Sequence, residues 1–172
     1  MRGRSLGRLG TLVAVGLLGI GAAGCAGAGQ GSSPAQRMTA WAEGTGFGGV
    51  VATLQADSSR IATVLGEHRG TGAVRADCVI LLDDTEAANQ NLPTPDAGLT
   101  SLLSHAYTLE GQAANDCYAA GAATGTRQET SSRLRAVAGG LLDQALAEIR
   151  TLTGKTPPTT TTAAPGGVGI FG

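Results

Sequence analysis

Apolar residues recur through the middle of this chain in steps of three and four, in four successive segments, which is the period of helices buried along one side. In the first segment Phe47, Val50 or Val51, Leu54, Ile61 and Val64 or Leu65 share a face, with Gln55, Asp57, Ser58, Ser59 and Arg60 largely off it. Asp57 or Ser58 interrupts this stripe. The second runs Val74, Cys78, Leu81, Thr85, Ala88, Leu92. The third follows Pro93 and Pro95, takes Asp96 as its N-cap, and carries Leu99, Leu102, Leu103, Ala106, Leu109, Ala113, Cys117 and Ala120. The fourth begins between Gly125 and Glu129 and carries Leu134, Val137 or Ala138, Leu141, Leu142, Ala145, Ile149 and Leu152. Only the run Val79, Ile80, Leu81, Leu82 could be a buried strand, and a lone strand has no partner here.

Breaks near 66–72, 91–95 and 122–126 separate the segments. They predict an all-α fold over residues 35–154, an antiparallel up-down-up-down four-helix bundle. With aromatic residues at only 3% and alanine and leucine abundant, its core is expected to be aliphatic and closely spaced.

The start of the chain changes the picture. Arg2, Arg4 and Arg8 precede an apolar run over 9–20 and the small tract Ala22, Ala23, Gly24, leading into Cys25. That order reads as an export signal. The tract looks like a lipobox, in which small residues ahead of a cysteine allow cleavage and the new N-terminal cysteine is acylated, although Ala22 stands where leucine is usual. An ordinary secretory cut after Ala23 or Ala26 is the alternative. A retained membrane helix needs about 20 apolar residues, more than this run supplies.

The expected organisation is a signal over 1–24, a Gly/Ser/Ala tether over 25–34, the helical domain, and a Thr/Pro/Gly-rich disordered tail over 155–172. Removing the signal takes away three arginines and no acid, so the net charge moves from −1 to −4. Such a balance argues against nucleic acid as a partner and against docking on an anionic bilayer by charge. Attachment to the cytoplasmic membrane, at its outer face, is therefore expected to come from acyl chains on Cys25.

Of the three cysteines, Cys78 and Cys117 remain after Cys25 is set aside. In an exported domain such a pair is most simply a disulfide, with two separate buried thiols as the alternative. The midpoint between them falls at 97–98, beyond the prolines, so the bond requires the proline segment to climb along the bundle before the third helix starts.

Candidate chemistry is thin. The glycines of Gly44-Thr45-Gly46-Phe47-Gly48-Gly49 imitate a phosphate loop, but no strand precedes them and no lysine follows, so a break near the first helix is the better reading. His68 and His105 each lack a second ligand at helical spacing, and no metal or cofactor is expected. Asp83, Asp84 and Glu86 read as a solvated acidic face. Ser104 beside His105 is only a sequence neighbour, and Tyr118 beside Cys117 is expected to cover the disulfide. No catalytic residues are assigned. An enzyme reading would gain support if His105, Glu110 and an acid of the second helix converged in a cleft.

The lipobox-like start, the single lysine, Cys78 on the second helix, the turn Leu92-Pro93-Thr94-Pro95-Asp96, the segment Asn115-Asp116-Cys117 and the threonine-proline tail together resemble exported, lipoprotein-like helical proteins of actinobacteria. That resemblance implies an envelope location and a helical fold, and carries over no activity or ligand. The functional expectation is a structural or interaction protein with an envelope protein as partner. The alternative is a module holding a small apolar ligand between helices at the small-residue seams of Ala88, Ala106, Ala113 and Ala145.

Overall fold

The computed structural model describes residues 31–155, and these form five α-helices and no strand. They are α1 (Pro34–Gly44), α2 (Phe47–Gly66), α3 (Thr71–Asn89), α4 (Ala97–Ala120) and α5 (Thr126–Leu152). The all-α expectation holds, but the count of four is corrected to five. The additional helix, α1, precedes the first periodic segment and escapes a periodicity search because it buries only Met38 fully. Local chemistry starts it instead. Ser33 caps it by accepting from the Gln36 backbone N–H while Gln36 reaches back to the Ser33 N–H, and Pro34 occupies the first turn.

Gly46 separates α1 from α2. Its φ of 60° lies in the left-handed region that glycine enters without a Cβ penalty, so this glycine-rich stretch is a helix junction. Further on, Asp96 caps α4 as expected, its carboxylate accepting from the Leu99 N–H at 2.8 Å.

Packing follows chain order. Helix α2 lies on α3, α3 on α4 and α4 on α5, while α5 returns to α2 and α1 rests against α2 and α5. The predicted stripes face inward in α2 and α3: Phe47, Val51, Leu54, Ile61 and Val64, then Val74, Cys78, Leu81, Thr85 and Ala88, are buried. In α5 the stripe is turned by one residue at its start. Arg135 is buried there, and Leu134 only half so.

Cys78 and Cys117 form the disulfide, with Cα atoms 5.8 Å apart. Carrying that register along the antiparallel pair puts Asn89 level with Ala106, so residues 97–105 project past the end of α3 by about 13 Å. Residues 90–96 climb that distance. Helix α1 meets this linker, with Trp41 Nε1 donating to the Asn91 carbonyl at 3.0 Å and its ring set 5.4 Å from that of Phe47.

Candidate functional site

The interruption of the α2 stripe is a buried acid. Asp57 is 1% exposed and occupies the inward position between Leu54 and Ile61. One turn further along, Arg60 bends back to donate to its Oδ1 at 2.6 Å and also reaches toward Asp77 at 3.8 Å. Asp57 Oδ2 is sealed from water without a donor. Burial and the neighbouring Asp84 carboxyl push Asp57 up to about 6, against the pull of Arg60.

Two more charged groups complete a polar layer through the core. Glu110 of α4 is 1% exposed, and its Oε2 has no partner. Burial raises its carboxyl to about 7, with Arg135 opposing that rise and Asp57 adding to it. Arg135 of α5 is 7% exposed. Its Nη1 donates to the Ser58 carbonyl at 2.7 Å and its Nη2 to Ser132 Oγ at 3.2 Å. Ser131, one turn before, donates to the Ala113 carbonyl of α4 at 2.8 Å. Thus α2, α4 and α5 each place one ionisable side chain in the interior, and α3 adds Asp84 at its margin.

Burial raises both carboxyls toward neutrality, although Arg60 pairs with Asp57 and Arg135 opposes the rise at Glu110. The layer does not bring His105 together with Glu110 and Asp84. Glu110 and Asp84 belong to the layer, but His105 is exposed on the other side of α4. His68 sits exposed in the turn after α2 at a φ of 53°. Among the described residues no three His, Cys, Asp or Glu side chains gather as a metal site.

Other sequence readings sort as follows. Asp83 and Glu86 are exposed as expected, whereas Asp84 is half-buried beside Asp57. Tyr118 adjoins the buried disulfide in sequence. It is 48% exposed, and the Arg75 guanidinium lies 5.2 Å from its ring centre. Cys25 and the tail beyond Lys155 lie outside the described residues, in which no helix is long and apolar enough to cross a membrane. The seam alanines Ala88, Ala106, Ala113 and Ala145 are buried, and Ala88 also lines a cleft between α2 and α3.

Sequence reasoning flagged Asp57 as a gap in a stripe and named Glu110, but missed Arg135. The usable signal was an acid at an inward helical position, since a buried charge demands a partner on a facing helix.

Surface clefts border the layer. One of about 210 Å³ lies between α2 and α3 with Asp84 in its wall, and one of about 310 Å³ lies between α2 and α5 with Arg135 in its wall. No protein-family model, curated protein or solved structure matches this chain.

Proposed function

We propose that this protein is tethered through acyl chains on Cys25 to the outer face of the cytoplasmic membrane and acts there as a structural or interaction protein. In this reading α2 to α5 form an up-down-up-down bundle with α1 added at one end. Support comes from the opposed pairs Arg60 and Asp77, Cys78 and Cys117, and Ala113 and Ser131, each of which fits antiparallel neighbours.

The observation that carries the interaction reading is an exposed apolar face beside the disulfide. Val79 and Tyr118 are large apolar side chains left in solvent, and they directly follow the two bonded cysteines. In antiparallel helices one step past two facing positions turns both side chains by about 100° toward the same side. Arg75 joins them there, with its Nε donating to the Tyr118 carbonyl at 3.0 Å. A tyrosine and an arginine on a covalently cross-linked helix pair lose little freedom on contact with a partner, which is the character of an interface anchor.

The test places a photo-crosslinking side chain at position 79 or 118 of the full chain in the producing bacterium. Discrete adducts at both positions, and none at the exposed Ser101, are expected. Absence of adducts at 79 and 118 would overturn the interaction reading. Intact mass of the membrane-extracted protein tests the anchor, with loss of residues 1–24 and addition of acyl chains expected; a retained leader with no acyl mass would refute it.

A further inference from the structure

The α2–α5 seam carries two polar links. Gln55 Nε2 donates to Asp143 Oδ1 at 2.9 Å, and Arg135 spans from α5 to the Ser58 carbonyl. At the Arg135 link and on its far side from Gln55 the side chains are small, and a cleft of about 310 Å³ opens there, walled by Ser58, Ser59, Ala62, Ser132, Arg135 and Ala136.

Arg135 is under-partnered in that wall. A guanidinium carries five N–H donors, and here two are used, on the Ser58 carbonyl and Ser132 Oγ. Its Nε is cut off from solvent without an acceptor, and Ser58 Oγ is likewise unpartnered. Among the described residues no carboxylate oxygen comes within 4.0 Å of this guanidinium. Asp57, the next residue to Ser58, has Arg60 as its ion partner. Glu110 acts on Arg135 only from a longer distance, and burial leaves it part-protonated near neutrality, so it neutralises the guanidinium incompletely.

A buried positive charge with uncommitted donors is costly unless an acceptor meets it. The group whose geometry suits a guanidinium is an oxyanion. A hydroxyl adds to the set: Ser132 accepts from Nη2 and keeps its own proton to donate. We propose that the α2–α5 cleft is a binding site for a small oxyanion, the carboxylate or phosphate group of a ligand, held by the Nη groups of Arg135 with the hydroxyl of Ser132. The cleft has room for that group and a few atoms of what carries it. The remainder of the ligand projects to solvent over Ala62 and Ala136.

The proposal is tested by NMR titration of the isotope-labelled full chain in non-ionic detergent with sodium phosphate, sodium acetate and, at matched ionic strength, sodium chloride. Saturable shifts confined to Ser58, Ser132, Arg135 and their neighbours are expected with at least one oxyanion. Saturation by phosphate alone assigns a phosphate-bearing ligand, by acetate alone a carboxylate-bearing one, and by both an unselective oxyanion site. Failure of both to saturate at millimolar concentration, or equal shifts with chloride, overturns it. Arg135→Gln is expected to abolish saturation, and unchanged binding would refute the assignment. Should that variant not fold, Ser132→Ala decides, because Ser132 is exposed. Losing one hydrogen bond to a charged group is expected to weaken the site about tenfold or more, and an unaltered affinity counts against the proposal.

Discussion

Arg135 of α5 donates across the bundle to the carbonyl of Ser58 of α2 at 2.7 Å, so the last helix is fastened to the first long one by a buried cation. The same guanidinium is what holds Glu110 from rising further. Replacing it with an apolar side chain acts on both roles. Arg135→Met is expected to cost about 1–3 kcal/mol through the lost hydrogen bonds. It is also expected to move the Glu110 titration above 7, which NMR of the labelled carboxyl would register.

Glu110 makes stability depend on pH in a definite direction. Its carboxyl titrates at about 7 in the fold against an ordinary 4.5, so the folded chain holds a proton that the unfolded chain has released in between. The stability this contributes is complete below 4.5 and is lost as pH rises through 7. Glu110→Gln mimics the protonated form. It is expected to be more stable than the native chain by about 3 kcal/mol at pH 8, with the gap closing toward pH 4, in urea unfolding across that range. A gap of equal size at both ends would show that the side chain acts through packing alone.

Asp57 titrates in the same sense with a lower midpoint. Burial and Asp84 hold it at about 6 against an ordinary 3.8, so its contribution disappears as pH rises from about 4 through 6. The native chain with Glu110→Gln is therefore expected to keep a residual decline confined to that lower window. Removing Asp57 as well, as Asp57→Asn, flattens it.

Cys78 and Cys117 close a loop with a sequence separation of 39 residues. Chain-entropy reasoning puts that cross-link at about 4 kcal/mol. The double replacement Cys78→Ala and Cys117→Ala is expected to lower unfolding stability by this order and to leave helicity intact, by urea titration followed with circular dichroism. Both sulfurs are buried, so mild reductant is expected to open the bond only slowly.

Gly121 ends α4 with φ 59° and ψ −135°, and a Cβ there would meet Thr71 Cγ2 of α3 at 2.5 Å. Gly121→Ala is expected to cost about 2–4 kcal/mol, from backbone strain and overpacking together. Adding Thr71→Ser removes the methyl and should recover only the packing share. Full recovery in thermal melts would mean that the backbone conformation imposes no penalty.

Helix identity was legible along the chain because inward positions recur at a local period. Val74, Cys78, Leu81, Thr85 and Ala88 needed no knowledge of their neighbours to be placed on one face. The caps at Asp96 and the breaks after Gly66 and Ala120 were local too. Helix α1 went unread although its capping box, Ser33 with Gln36, is local, because its single buried Met38 makes no stripe. In α5, Leu134 drew the predicted face one residue away from Arg135.

From the sequence alone came the helical class, the pairing of Cys78 with Cys117 and the anomaly at Asp57, all properties of spacing within a segment or of residue count. Only the tertiary structure decided that Asp57, Glu110 and Arg135 meet in one interior layer, and that Arg135 faces a cleft with donors to spare. The physical reason is that a charge in a helix stripe is merely a cost until its partner is known. Partners here sit 53 and 25 residues apart along the chain, brought together by which helix faces which.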